Sequence, residues 1–255
     1  MIGRRPLLLG PALMLGAAER APVAAMPISR LDTPWWRERH EQKLAELRAG
    51  RVDLIWLGDS ITQDWELHGP PAWRDFAPAW QRFYGDRNPV NLGFKGDTTA
   101  HLLWRMQNGE LDGIRPKAAI VLIGANNMGR VHWDAEQTVA GIAAVIGELQ
   151  RRLPSTGVIL LSVLPSVRSK WVTRTTNQIN RALAGRYPSG GPVTFVDLTP
   201  LFLRGDGEVD RTLFYDDLLT PPDPPLHPTA QTQERIAATI EPTVAALMRD
   251  RNHLR

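Results

Sequence analysis

Four polar clusters in this chain hold residue types that can do chemistry on a carbonyl. They are Gly58-Asp59-Ser60-Ile61-Thr62, Asn91-Leu92-Gly93-Phe94-Lys95-Gly96-Asp97-Thr98, Gly124-Ala125-Asn126-Asn127, and Asp223-Pro-Pro-Leu-His227-Pro-Thr. Together they supply a hydroxyl, an imidazole base, carboxylates, glycine amides and a side-chain amide. Acyl transfer needs that inventory: a nucleophile, a proton acceptor, a group that orients it, and donors for an oxyanion. Each signal alone also has a bland reading. A serine after a strand caps helices, a glycine makes a turn, and an asparagine bonds its own loop. Their order along the chain is what argues against coincidence.

The first three clusters each follow a short apolar run. Strands are expected over 52–57, 89–92, 118–123, 158–164 and 193–196. Helical signals separate them. Asp32-Thr33-Pro34 starts a helix that Gly50 stops, Asp134 and Gln137 suit a capping box for a helix over 134–153, and a last helix spans 229–248 with Pro242 inside it. Five such runs without an internal repeat predict one α/β domain, a three-layer α/β/α sandwich with a five-stranded parallel sheet in flavodoxin-like order. In such a sheet, functional groups collect outside the carboxyl ends of the strands, where these clusters fall.

The four clusters resemble the sequence blocks of the GDSL or SGNH hydrolase superfamily, with Ser60, Gly93, Asn126 and His227 matching its Ser, Gly, Asn and His. The segment over 96–117 (GDTTAHLLWRMQNGELDGIRPK) is similar to the catalytic subunits of intracellular platelet-activating-factor acetylhydrolase. The resemblance implies a serine esterase in which His227 deprotonates Ser60, and in which the Ser60 and Gly93 amides and the Asn126 side chain hold the oxyanion. It implies no metal and no cofactor. Two blocks depart from the pattern: Asn127 stands where an Asp is usual, and Asp223 lies four residues before His227 instead of three. Asp223 is the favoured acid, with Asp216 and Asp217 kept as alternatives. The G-x-S-x-G elbow of α/β-hydrolases is not present, because Ile61 and Thr62 follow Ser60.

Composition narrows the rest. The chain of 255 residues is 43% hydrophobic and 22% charged, which is ordinary for a globular protein, and with no Cys it can hold no thiolate zinc site or cysteine nucleophile. Its formal charge is +3. Residues 1–25 hold Arg4, Arg5 and Arg20 against Glu19, so without them 30 basic and 27 acidic residues become 27 and 26. No case for nucleic acid survives that step. The uncharged run over 7–18 after Arg4-Arg5 reads as an export signal over 1–25. Its favoured cleavage site is Val23-Ala24-Ala25, with Gly16-Ala17-Ala18 as second choice, leaving a hydrolase domain over 26–255 in the periplasm or outside the cell. No stable membrane span is expected, and a homodimer is left open. The expected reaction removes a short acyl group, acetyl above all, from a small-molecule or carbohydrate ester. A short-chain lipid ester is the nearest rival, and a weakened carbohydrate-binding or acyl-transferring module the alternative. Among nine Trp, Trp65, Trp104, Trp133 and Trp171 could line a pocket or equally pack in the core.

Overall fold

The computed structural model describes residues 21–254. Helix α1 (Pro34–Ala49) leads into strand β1 (Leu54–Gly58), which runs directly into the short helix α2 (Ser60–Gln63). After α3 (Ala77–Tyr84) come β2 (Pro89–Gly93), α4 (Thr99–Arg105), β3 (Ala118–Leu122) and α5 (Ala125–Gly129). Then follow α6 (Ala135–Arg152), β4 (Gly157–Leu161), α7 (Lys170–Arg186), β5 (Val193–Val196) and α8 (Ala230–Met248). The five strands form one parallel sheet in the order β2-β1-β3-β4-β5, the expected flavodoxin-like arrangement.

The central strands are apolar in nearly every position because both faces are covered. Ile55, Leu57, Ala119, Val121, Val158 and Leu160 pack under α4, α6 and α7, while Leu54, Trp56, Ile120, Ile159 and Leu161 pack under α3 and α8. Burying each of the larger side chains is worth roughly 1.5–3 kcal/mol, so this alternation fixes which face each strand residue takes.

Local signals land where the residue chemistry puts them. The Gln137 amide donates to Asp134 Oδ1 (2.9 Å) and the Asp134 amide to Gln137 Oε1 (3.2 Å), closing the capping box of α6. Helix α8 continues through Pro242, whose ring lies on the exposed side, where water can serve the carbonyl that loses its donor. The first strand starts two residues later than its apolar run, because the Asp53 amide is bonded to the Asn88 carbonyl in a loop (3.2 Å).

The expected export signal falls mainly on residues 1–20, which lie outside the described residues. Its favoured cleavage tripeptide does not. Val23–Ala25 forms a 3-10 turn with Ala24 fully buried, and the Ala24 carbonyl accepts a bond from Thr99 Oγ1 (2.8 Å). Four residues beyond Ala24, the Ile28 amide donates to the Ala100 carbonyl (3.1 Å). No helix among the described residues is long and apolar enough to cross a membrane.

Candidate active site

Ser60 opens α2 at the carboxyl end of β1, with Asp59 as N-cap accepting the Ile61 amide at 3.1 Å. As the first helical residue, Ser60 has a backbone N–H without an intrahelical acceptor. Its hydroxyl faces His227 Nε2 at 2.9 Å. These residues lie 167 positions apart, and both are brought to the sheet's carboxyl edge.

The acid that holds His227 is not Asp223. That residue is exposed, and its backbone amide donates to the Asp216 carbonyl (3.0 Å). Asp216 itself is buried. Its Oδ1 sits 2.6 Å from His227 Nδ1, and its Oδ2 accepts the amides of Leu226 (2.7 Å) and His227 (2.6 Å). Two short backbone pairings place it there: Phe214 bridges Pro228 antiparallel, and the Tyr215 amide donates to the His227 carbonyl at 2.9 Å. Asp217 pairs with Arg211 at the surface instead.

A carboxylate on Nδ1 fixes that nitrogen as donor, so the Nε2 lone pair faces the Ser60 hydroxyl. Burial alone would push the His227 imidazolium toward losing its proton. The Asp216 hydrogen bond and charge, with Asp64 and Asp59 behind it, outweigh burial and hold the pKa above the ordinary value. The ring is also stacked on Tyr215 (5.4 Å, 16°), and Tyr215 in turn donates to Asp64 Oδ2 at 2.6 Å and stacks on Trp73. Tyr215 and Asp64 carry no motif, and nothing short of the fold marks them.

Gly93 fails as an oxyanion donor in this geometry. Its amide is taken by Asn91 Oδ1 at 2.8 Å. The residue must be glycine for another reason: a Cβ there would lie 2.2 Å from the Gln63 backbone nitrogen, where β2 meets α2. Gly96, three residues on, has φ +78°, and among the described residues its N–H has no acceptor. The signal was in the sequence, since the specific segment over 96–117 begins at this glycine. Asn126 Nδ2 donates to the Asp97 carbonyl (3.0 Å) and more loosely to Asp59 Oδ2 (3.3 Å), which ties it to the Gly96 loop. Burial pushes the Asp59 carboxyl up to about 7.

Behind that loop lies a buried ionic network. Arg105, fully buried, donates to Asp97 Oδ2 (2.8 Å) and Glu110 Oε2 and lies over the Phe94 ring at 3.9 Å. Asp97 Oδ1 also accepts from Trp36 Nε1 (2.8 Å) and Arg30 (3.0 Å). Asn127, at the position where an Asp is usual, bonds both the amide (3.0 Å) and the hydroxyl (2.8 Å) of Thr99. Loop 93–98 is therefore held from three sides before any substrate arrives. Of the four tryptophans, Trp65 is core, Trp104 packs on Trp36 and His40, Trp133 is half-buried with its amide bonded to the Asn127 carbonyl (2.8 Å), and Trp171 borders an open groove. Among the described residues no cluster of His, Asp and Glu could hold a metal. A larger cavity of about 460 Å³ opens at the amino ends of β3 and β4, remote from Ser60.

Residues 56–235 match the model of the GDSL-like lipase/acylhydrolase family. The chain is 33% identical over 190 residues to platelet-activating factor acetylhydrolase IB subunit alpha1 of Homo sapiens, covering 72% of this chain and 74% of that protein. It is 28% identical over 184 residues to subunit alpha2 of Gallus gallus, covering 72% and 75%. Among solved structures, a GDSL-like lipase from Bacteroides thetaiotaomicron superposes with TM-score 0.60 at 17% identity, covering 82% of this chain and 97% of that one. A carbohydrate esterase family 3 protein from Talaromyces cellulolyticus gives 0.57 at 17%, covering 78% and 98%.

Proposed function

The chain belongs to the GDSL-like lipase/acylhydrolase family and is an ester hydrolase, and from that premise we propose that it removes acetyl or a similarly short acyl group from a carbohydrate ester through Ser60, His227 and Asp216. The observation that carries the mechanism is the relay of contacts from Ser60 Oγ to His227 Nε2 (2.9 Å) and from Nδ1 to Asp216 (2.6 Å). Ser60 Oγ attacks the ester carbonyl carbon as its proton passes to Nε2. The resulting oxyanion is received by the Ser60 and Gly96 amides and by Asn126 Nδ2, which gives up its long contact with Asp59. Each such donor is worth about 3–4 kcal/mol in the transition state, roughly 100- to 1000-fold in rate. The imidazolium returns the proton to the departing alcohol. Water then attacks the acyl-Ser60 ester by the same route, releasing the carboxylic acid and restoring the hydroxyl.

The acetyl preference is supported by the acetylhydrolase relatives, and the sugar by the carbohydrate esterase neighbour and by the exported location we assign. Processing at Gly16-Ala17-Ala18 would keep the buried Ala24 turn, whereas cleavage after Ala25 would remove it. A short-chain lipid ester is the second reading, favoured by the identity to the platelet-activating factor acetylhydrolase subunits. The test is hydrolysis of 4-nitrophenyl esters of increasing chain length, with acetylated oligosaccharides and an acetylated ether lipid beside them, by the protein and its Ser60→Ala variant. Serine-dependent turnover that falls steeply beyond short acyl chains, with acetate released from the oligosaccharides, is expected. A long-chain preference, or turnover of the lipid alone, overturns the assignment.

A further inference from the structure

Among the described residues, the fully buried arginines come with carboxylates. Arg105 has Asp97 and Glu110, Arg87 has Glu241 and Asp250, and the half-buried Arg30, Arg39 and Arg152 each have an acidic partner. That is the expected pattern, since an unpaired charge is costly to take out of water. Among the buried and half-buried arginines of the described residues, Arg74 and Arg168 alone lack such a partner. Arg74 lies over the Trp73 ring (5.8 Å). Arg168 has only Ser166 Oγ (3.2 Å) and the Ala125 carbonyl (3.4 Å).

Arg168 is close to the chemistry. Ala125 precedes Asn126, and the guanidinium crosses Gly129, where a Cβ would meet Nη1 at 2.5 Å. It lies within the fields of Asp216 and Asp59, yet burial still holds its pKa below the ordinary value. It lines an open groove of about 360 Å³, whose wall includes Trp171 stacked on His132 (5.8 Å, 28°). Arg130 adds positive charge nearby: its amide donates to the Asn126 carbonyl (3.0 Å), and its guanidinium reaches over Gly96. A half-buried fork of donors without an acid, beside an aromatic wall and bonded to the carbonyl of the residue before Asn126, is built to receive an oxyanion group.

We propose that Arg168 binds a carboxylate or phosphate on the alcohol side of the ester, with Trp171 packing against the sugar ring or chain that bears it. This rests on the Ser60 esterase reading and narrows its substrate to acylated acidic alcohols. The experiment compares two matched pairs: acetylated glucuronic acid with its methyl ester, and acetylated glucose 6-phosphate with acetylated glucose. The intact protein should favour the charged member of at least one pair by about tenfold or more in kcat/KM, with the gap narrowing as salt is raised. The pair that shows the gap identifies carboxylate or phosphate. Arg168→Gln should bring the ratio toward one, and Arg168→Lys should keep part of it. Ser60-dependent turnover with equal rates on both pairs, or a preference that survives Arg168→Gln, overturns the proposal alone. No Ser60-dependent turnover of any ester overturns the esterase reading and this one together. Should Arg168→Gln fail to fold, the salt dependence and Arg168→Lys still decide it.

Discussion

Asp216 holds His227 at two points, with Oδ1 on the ring Nδ1 and Oδ2 on the backbone amide, both at 2.6 Å. One carboxylate thus sets the tautomer and the position of the base. An amide at 216 could keep the shape of this arrangement, but it would no longer select the tautomer or stabilise the imidazolium. Asp216→Asn should therefore lower kcat about 10³-fold or more on an aryl acetate, while Asp223→Asn stays within about twofold. Steady-state kinetics on the two variants check it, and the reverse ranking would return the acid to Asp223.

The pH profile follows from the same contact. As the proposed base, His227 would act only when neutral, and Asp216, Asp64 and Asp59 hold its pKa above 6.5. Accordingly kcat/KM should rise with pH through an ionisation above 6.5 and then level off. In Asp216→Asn the largest raising influence is gone and burial, which lowers the pKa, remains. The midpoint should move down in pH even as the plateau collapses. The stability linkage runs the other way: a histidine whose pKa is raised on folding stabilises the fold below its unfolded value. That contribution fades as pH rises through the folded one. A midpoint unchanged by Asp216→Asn would contradict this account.

The sheet was legible because its signals are local: apolar runs of strand length, a capping box at Asp134 and Gln137, and polar clusters after three strands. Ser60 and His227 were legible for the same reason, each standing in a short recognisable block. Asp216 was visible only as an alternative, since its place is set by backbone pairing of 214–215 with 227–228 across an irregular loop. Gly93 misled because two glycines in one loop serve different needs. Gly93 lets β2 approach α2, whereas Gly96 leaves an amide free, and spacing alone does not tell them apart. Arg168 had no sequence signal at all. What distinguishes it is a carboxylate that is not there.

The network under loop 93–98 makes a stability prediction. Arg105 is fully buried and answers two buried carboxylates, Asp97 and Glu110. Removing it leaves both without their main counter-charge in a poorly solvated site, which typically costs about 3–5 kcal/mol. Arg105→Ala should show that loss in denaturant unfolding monitored by tryptophan fluorescence. Arg151→Ala, which removes a partner of Glu148 at the surface, should leave the unfolding midpoint nearly unchanged. Similar losses for the two would mean that the buried network is not a stabilising element.

The amino-terminal turn yields the last prediction. Ala24 is fully buried against α6, where a Cβ on Gly141 would lie 2.6 Å from its carbonyl oxygen. That oxygen also accepts from Thr99, whose amide and hydroxyl are bonded by Asn127 next to Asn126. The turn therefore braces the start of α4 and, through Asn127, the loop that carries the proposed oxyanion donor. A chain beginning at residue 21 should match the full chain in melting temperature and kcat. One beginning at residue 27 loses the buried alanine and a buried hydrogen bond, a combined cost of about 1–2 kcal/mol, and should melt several degrees lower. Its kcat should fall more than its KM rises, because the loop released carries the proposed oxyanion donor, which would act on the transition state and not on the bound substrate. Equal melting temperatures and equal kcat for the two shortened chains would show that the turn braces nothing, and would leave cleavage after Ala25 without a structural objection.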